Sequence, residues 1–420
     1  MRADPIVRRI AFAVSVTFGL VPTAVLAWDW SISTSESETV ELNSNQYLRA
    51  SPAGSVGSYS TLSAKAEGLT PTSKLTVDGD GTFRKYWGPG AAGTVSESLS
   101  YGFHARYDTF GKNKFDKEFV EATWRQQSTS LALLNDLGVV APVGGFLDLL
   151  TVSGGFDRAL TARDTINVFA SSTRTSYEPS TGGTPFTDTV ARGNWRHAFS
   201  STTGASLSSE AELLDYDNAF GTQATIYRNQ AGIDTSFSAL MSFRGNIGTA
   251  YIVTERGAST SPLGGGGVAA RPVNSTAIDW IGDAVFTYKF MKTATLSVVA
   301  SQSVGPSVVG SLVKRDTISA SVNYIVNSRE NVSFTASGNR QIATSTTDYA
   351  SFSATYAYTP IRDLSLQFTY RYQHRFAGTG TTVIDPVTGT PTASGLTPAD
   401  SHSLLFVATH NFVLLPHNIY

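Results

Sequence analysis

The chain has 420 residues, enough for two or three ordinary domains or for one large closed sheet. Charged residues make up only 15% of it, which would leave a soluble protein with a poor water-facing surface, and the net charge of -2 argues against a nucleic-acid partner. The hydrophobic share of 41% and the mean hydropathy of -0.06 are too low for a bundle of membrane helices. A β-barrel reconciles these values, because half of each strand faces lipid and half faces a polar lumen.

The beginning of the chain has the three parts of a secretory signal peptide. Its positive start contains Arg2, Arg8 and Arg9. An apolar stretch covers residues 10–21 and small residues lead up to Ala27, so we expect cleavage after Ala27. A retained anchor helix is the less favoured alternative, because the apolar run is short for a membrane span and Pro22 interrupts it. Residues 28–420 are then expected to form one domain.

Beyond the signal peptide the hydrophobic pattern has a period of two, as β-strands with two different faces require. Four segments show it most clearly: residues 98–108, 278–290, 317–324 and 364–376. Ile281 and Val285 break the polar phase of the second segment. A soluble sandwich would also alternate, but its outward face normally carries many Lys and Glu, whereas the polar face here is mostly Ser, Thr, Asn and Gln. The pattern therefore predicts transmembrane strands.

The connections between these segments alternate in length. The short ones are residues 160–164, 200–204, 290–293, 327–331 and 359–363. The long ones, rich in Gly, Pro, Ser and Thr, are residues 88–94, 178–188, 256–275 and 377–401. Short periplasmic turns and long external loops are typical of bacterial barrels. We therefore predict an all-β fold, a single antiparallel up-and-down barrel of about 18 strands, or about 16 as the alternative, with both chain ends in the periplasm.

The segment at residues 131–150 is an exception, since it is apolar and interrupted by Gly and Pro instead of alternating. One interpretation is an external loop that folds inward and narrows the pore. The other, which we favour, is a hydrophobic rim loop or an irregular pair of strands.

The sequence offers little for catalysis or metal binding. It has no cysteine, no Gly-x-Ser-x-Gly elbow and no His-Glu-x-x-His spacing, and none of its histidines stands in a nucleophile motif. Those histidines are His104, His197, His374, His402, His410 and His417. The run Asp78-Gly79-Asp80-Gly81 lacks the later ligands of a calcium loop, and the glycines at 264–267 lack the lysine of a phosphate loop. We expect no enzyme activity and no cofactor.

The alternating segments also place charged residues in the polar phase, where they would line a pore. These candidate lining residues are Asp78, Asp80, Arg84, Arg106, Glu121, Arg125, Asp279, Asp283, Lys289, Arg371 and Arg375. Charges inside a water-filled pore set a field that selects among solutes. Alternatively, they pair with one another and stiffen the wall, and the two roles are compatible.

Several short elements resemble known outer-membrane proteins. They are Ser35-Glu36-Ser37-Glu38-Thr39 followed by Asn43 and Asn45, and Gly154-Gly155-Phe156 leading to Leu160, Thr161 and Asp164. The chain is similar to loosely defined porin-like outer-membrane β-barrel families, some of whose members accompany exopolysaccharide secretion systems. It departs from them at its last residue, Tyr420, where such barrels usually end on the Phe that the barrel-assembly machinery recognises.

The resemblance implies an outer-membrane pore or an export outlet. We expect passive transport of small hydrophilic solutes across the cell outer membrane. An outlet for a secreted polysaccharide and a structural or adhesive barrel with a closed lumen are the alternatives. The expected partners are outer-membrane lipid, the barrel-assembly machinery and the solute or polysaccharide, with no nucleic acid.

Overall fold

The computed structural model describes residues 28–48, 50–91, 97–111, 116–129, 132, 145–178, 184–218, 221–256, 273–306, 312–342, 346–378, 383–384, 391–392 and 397–416. The predicted signal peptide, the glycines at 264–267, His417 and Tyr420 lie outside these residues, as do most of the segment at 131–150 and much of the long connections. Within the described residues, no helix is long and apolar enough to cross a membrane.

The described chain is almost entirely β-structure. The first nine strands are β1 (Asp29–Asn43), β2 (Ser55–Leu69), β3 (Ser73–Trp87), β4 (Glu97–Phe110), β5 (Lys117–Ser128), β6 (Phe146–Ala159), β7 (Asp164–Glu178), β8 (Phe186–Ala198) and β9 (Thr203–Tyr216). The next eight are β10 (Gln223–Ser236), β11 (Met241–Arg256), β12 (Val273–Met291), β13 (Ala294–Pro306), β14 (Leu312–Ile325), β15 (Glu330–Ile342), β16 (Thr346–Ile361) and β17 (Leu364–Arg375). A two-residue ladder of β18 (Val383–Ile384) and β19 (Pro391–Thr392) precedes the last strand, β20 (Ala399–Leu415).

Eighteen of these strands form one closed antiparallel barrel. Each pairs with its neighbours in sequence, β17 pairs with β20, and β20 pairs with β1, so the sheet closes on itself. Closure satisfies backbone N–H and C=O groups inside the sheet, as a wall surrounded by lipid requires. The structure confirms the predicted fold and the count of 18 strands in preference to 16.

The two ends of the barrel differ in the length of their connections. At one end the described turns are short, and those after β12 and β16 have only two residues each. All five predicted short links lie at this end, together with the first and last strand residues, Asp29 and Leu415. All four predicted long links lie at the opposite end, which we call the loop end. The alternation of connection lengths therefore predicted the ordering of the strands correctly.

The outer face of the barrel is predominantly apolar. Ile278, Ile247 and Val120 are 71%, 66% and 61% exposed, although aliphatic side chains would normally avoid water. The same outward phase also carries Glu36 and Glu38, whose neighbours Ser35, Ser37 and Thr39 point inward. An even-numbered, up-and-down barrel with an apolar outer face is the architecture of bacterial outer-membrane proteins, and the protein is therefore assigned to the outer membrane.

Candidate functional site

The lumen is lined by one phase of every strand, and strand register follows that phase around the sheet. Alternate residues of β1–β3 and β15–β17, including Arg84 and Arg371, face a common internal cavity. Residues that pair directly across two strands point to the same face of the sheet. Because Arg84 pairs with Ser98 on β4, Ser98 also faces the lumen, and the same rule identifies the inward residues of the following strands. The charged residues predicted to line a pore all share it: Asp78, Asp80, Arg84, Arg106, Glu121, Arg125, Asp279, Asp283, Lys289, Arg371 and Arg375.

A network of ion pairs joins the inner faces of β3, β4 and β5. Arg106 donates to Asp108 through Nε at 3.1 Å and to Glu121 through Nη1 at 2.7 Å. His104 lies between two carboxylates, with Nδ1 2.7 Å from Asp78 and Nε2 3.4 Å from Glu121. Arg106 and Glu121 were predicted separately and meet because their strands pair in register. His104 joins them from the lumen phase that its strand pattern predicts.

Two predicted arginines on this wall are held more loosely. Arg125 lies 3.9 Å from Asp80, at the limit of an ion pair, and its side chain is 57% exposed. Arg84 lies above the ring of Tyr59, 5.6 Å from its centroid, and forms no ion pair with a carboxylate in the part of the chain that the structure describes. Both guanidinium groups can therefore offer donors to a solute.

The predicted residues of β12 lie at three heights. Asp279 accepts from Lys314 Nζ at 2.9 Å near the loop end. Asp283, further along the strand, accepts from Asn246 Nδ2 at 2.9 Å through each oxygen. Lys289 is exposed at the end with short turns. The three are thus separated along the lumen and do not form one cluster.

The two predicted arginines of β17 differ sharply in their surroundings. Arg371 donates to Ser403 Oγ at 3.2 Å on the neighbouring strand β20, and to Glu41 Oε1 at 3.1 Å on β1, which lies beyond β20. Arg375 is only 6% exposed and donates to the carbonyl oxygen of Thr397 at 3.1 Å. Strand phase alone treated these two side chains as equivalent.

A second charged network lies on β8, β9 and β10 and was not predicted. Arg228 forms ion pairs with both Glu210 and Glu212, and Arg196 lies 2.6 Å from Asp234. Glu212 is almost completely buried, at 3%. We refer to the inner faces of β3–β5 and β8–β12 together as the charged arc.

An aromatic stack with an arginine at each end connects the two parts of the charged arc, from β5 through β7 to β8. Phe119 and Phe169 have ring centroids 6.3 Å apart, with Arg106 above the first at 4.1 Å and Arg192 above the second at 5.4 Å. The charged side chains of β8 and β9 were not predicted because the outward residues next to them are small and only weakly apolar, so the sequence of these strands shows little alternation in hydrophobicity. Those neighbours include Ala191, Gly193, Ser209 and Ala211.

The wall of β13–β16 has a different chemistry. Its inner faces carry Ser, Thr, Asn and Gln, and hydroxyl groups pair across strands. The oxygen–oxygen distances are 2.6 Å for Ser301 and Thr317, and 2.6 Å for Ser337 and Ser351. Apart from Arg315 near the loop end, the described inner positions of these four strands carry no charge. We call this wall the hydroxyl arc.

The barrel wall is interrupted between β12 and β13. Their ladder begins at Gly282 and Gln302 and continues toward the short turn. Residues 273–281 of β12 pair with β11 but not with β13. Residues 303–306 of β13 remain paired with β14, and β14 remains paired with β15 as far as Lys314, so the edge of the sheet at β13 turns inward while it stays joined to the wall on its other side. We call residues 303–306 and 312–316 the hairpin end.

The hairpin end packs inside the lumen against β10–β12. Val304 belongs to the outward phase of β13, yet it is buried in a cluster with the inward side chains Ile226, Ile252 and Ile281. Arg228 donates to the carbonyl oxygen of Val304, and the Lys314–Asp279 ion pair joins the same two layers. The exceptional Ile281 thus marks apolar packing inside the barrel, and the lumen is not polar throughout.

The arrangement offers no evident metal centre. Among the described residues, no group of three or more His, Asp or Glu side chains could hold an ion. Asp78 and Asp80 lie within a strand and not in a loop. His374 belongs to the outward phase and pairs with Asp400 at 2.7 Å. What the inner wall presents instead is a large hydrophilic surface with defined charges.

No protein-family model matches this sequence, and neither does the sequence of any curated protein. Among solved structures, the FrpB iron transporter from Neisseria meningitidis is similar, with a TM-score of 0.49, 7% identity, and coverage of 91% of this chain and 81% of that one. The ferric-catecholate import receptor Fiu from E. coli K12 is similar with a TM-score of 0.46 and 11% identity, over 90% of this chain and 81% of the receptor. OccAB3 from Acinetobacter baumannii is similar with a TM-score of 0.44 and 11% identity, over 91% of this chain and 100% of OccAB3. These similarities concern the barrel fold alone.

Proposed function

We propose that this protein is a passive pore for small hydrophilic solutes. The observation that supports the proposal most is the contrast between its two faces: an apolar outer face surrounds an inner face rich in hydroxyl, amide and charged groups. Such an inner face replaces part of the hydration of a passing solute, whereas a barrel that only anchors other structures has no need of it.

The two arcs distribute charge unevenly around the lumen of this pore. Cations and carboxylates are concentrated on β3–β5 and β8–β12, while β13–β16 offer neutral hydroxyl groups. A solute in the lumen therefore experiences an uneven potential, and charge and polarity determine which solutes pass. The predicted lining residues act in this proposal as selectivity residues.

The hairpin end supplies the narrowing that such a pore requires. Because it adds a second layer inside the wall of β10–β12, it narrows the lumen at the loop end. In this proposal the mature chain begins at Trp28, the short turns and both chain ends are periplasmic, and the long connections are outside the cell.

Planar-bilayer recording of the purified mature chain tests the proposal. We expect discrete conductance steps, and liposomes that contain the protein should swell in small sugars and not in large dextrans. Liposomes with heat-unfolded protein provide the control. A correctly folded barrel that gives neither conductance nor swelling would contradict the pore and favour a closed structural barrel.

Export of a polysaccharide remains the rival transport role. An outlet for a polymer needs a lumen that admits long chains. If the protein exports a polysaccharide, long oligosaccharides added from the periplasmic side should enter the lumen and block the current. Block by short sugars alone supports passive uptake.

A further inference from the structure

One cavity within the lumen has the size and the enclosing walls of a small-molecule binding site. It has a volume of about 480 Å³, within the range of about 300–1,000 Å³ that is usual for small-molecule sites. Its wall is formed by β1–β3, β15–β17 and β20. Its roof is formed by Gln46 and Leu48 from the connection between β1 and β2.

The roof of the cavity is fixed in place. Asn45 donates through Nδ2 to the carbonyl oxygen of Asp400 at 3.0 Å, and Ser44 N donates to the carbonyl oxygen of His402 at 2.9 Å. Leu48 has a φ of 47°, a conformation that leucine rarely adopts, and it is 2% exposed. Such strain persists only where the surrounding structure holds it, and a rigid roof reduces the entropic cost of binding.

The charges around this cavity favour an anionic ligand. Three charged side chains line it: Arg84, Arg371 and Glu41. Glu41 already accepts from Arg371 and from the hydroxyl of Tyr59, so its charge is compensated. The Arg84 guanidinium has an aromatic neighbour but no ion pair with a described carboxylate. A planar guanidinium in this state suits a carboxylate, which it can bind with two parallel hydrogen bonds.

The rest of the lining favours a ligand with many hydroxyl groups. Amide side chains that both donate and accept hydrogen bonds come from Asn339, Gln341 and Gln373, and hydroxyl groups come from Ser351 and Thr61, among others. An alkyl or aromatic carboxylate offers no hydroxyl groups that could hydrogen-bond with these amides and hydroxyls. The rings of Tyr59, Tyr86 and Tyr349 provide apolar surface for the C–H faces of a carbohydrate.

We infer that this cavity is a binding site for small polyhydroxylated carboxylates, that is, sugar acids. The inference rests on the proposed pore and names the solute class that the pore serves. Arg84 binds the carboxylate, and the amides of Asn339 and Gln341 bind the hydroxyl groups. Sugar acids then pass by way of a saturable site, whereas other small solutes pass through the open lumen.

Calorimetric titration of the detergent-solubilised mature chain with gluconate, sorbitol and acetate tests the site directly. We expect saturable binding of gluconate, about 10-fold or more tighter than that of sorbitol, which lacks the carboxylate, and of acetate, which lacks the hydroxyl groups. Equal affinities for gluconate and acetate would mean that the site recognises only the negative charge of the ligand, and would overturn the inference. Equal affinities for gluconate and sorbitol would remove the role of Arg84.

Two variants separate the parts of the site. Arg84→Gln should weaken gluconate about 10-fold and leave sorbitol unchanged. The matched change Arg329→Gln, at an exposed arginine in the turn between β14 and β15 at the opposite end of the barrel, should alter neither. Asn339→Leu should weaken gluconate and sorbitol together. An equal effect of the two arginine changes would mean general charge attraction and contradict the site.

Bilayer recordings keep this inference apart from the proposed pore. Binding by a protein that does not conduct contradicts the pore and leaves the site intact. Conductance without saturable gluconate binding contradicts the site and leaves the pore intact. Heat-dependent mobility on gels confirms that each variant forms a barrel.

Discussion

The charged arc and the hydroxyl arc consist of the same kind of strand, with residues that alternate between the lipid and the lumen, yet the side chains on their inner faces are joined differently. On the charged arc, Arg228 joins Glu210 and Glu212 across strands, so each partner depends on the other. On the hydroxyl arc, neutral pairs such as Ser337 and Ser351 make independent contacts. Removing one neutral hydroxyl costs about 1 kcal/mol, whereas removing one partner of a buried ion pair costs about 3–5 kcal/mol. The same fold therefore tolerates substitution unevenly around its circumference.

The strongest test of this contrast is Arg228→Met. It leaves the buried Glu212 without its cation, and we expect a loss of about 3–5 kcal/mol in the free energy of unfolding. Urea titration of folding into lipid vesicles, followed by tryptophan fluorescence, measures it. The matched change on the hydroxyl arc, Ser337→Ala, should cost about 1 kcal/mol or less. Similar losses for the two variants would remove the distinction between the arcs.

The outer face should not distinguish the two arcs, because both meet the same lipid. Val120→Arg behind the charged arc and Phe334→Arg behind the hydroxyl arc should each cost about 2–4 kcal/mol at the depth of the bilayer midplane. The inward neighbour Thr335→Arg should be tolerated far better. The same vesicle titrations apply, and equal tolerance of Phe334→Arg and Thr335→Arg would show that the strand phase is misassigned.

The hairpin end offers a test on conductance. Val304→Asp places a carboxylate in the apolar cluster with Ile226 and Ile252, at a cost of about 1–3 kcal/mol to that packing. This cost lowers the equilibrium constant for packing of the hairpin end by about 5-fold or more, so the inner layer should open more often and the single-channel conductance should rise. Gln302→Asp, at the last position of β13 that pairs with β12, provides the control. Unchanged conductance in a folded Val304→Asp barrel would mean that the hairpin end does not narrow the pore.

The smallest effect concerns ion selectivity. Arg192 is exposed on the charged arc, and Arg192→Glu should shift the reversal potential in a salt gradient toward cation preference. The shift should be larger at low salt, because screening at physiological salt acts over about 8 Å. Ser319→Ala on the hydroxyl arc should leave the reversal potential unchanged. A shift from Ser319→Ala but none from Arg192→Glu would assign selectivity to the wrong arc.

Much of the architecture was predictable from local pattern. The period of two at residues 364–376 identified a strand with one lipid face, and the short links at 290–293 and 327–331 identified turns at one end. Neither inference needs contacts between distant residues, because side chains alternate on any strand and tight turns join neighbouring antiparallel strands. The even count, the barrel and the inward phase of Arg106 and Glu121 follow from these local rules.

Other features depended on register and on packing between layers. Glu41 and Arg371 are far apart in sequence and meet only because β20 closes the barrel between β1 and β17. Ile281 looked like a break in a polar phase until the hairpin end was found packed against it. The sequence by itself determined which side chains face inward, because a period of two is a local property. Only the tertiary structure decided which of them meet, since that depends on strand pairing around a closed sheet and on the inward turn of the β13 edge where it separates from β12.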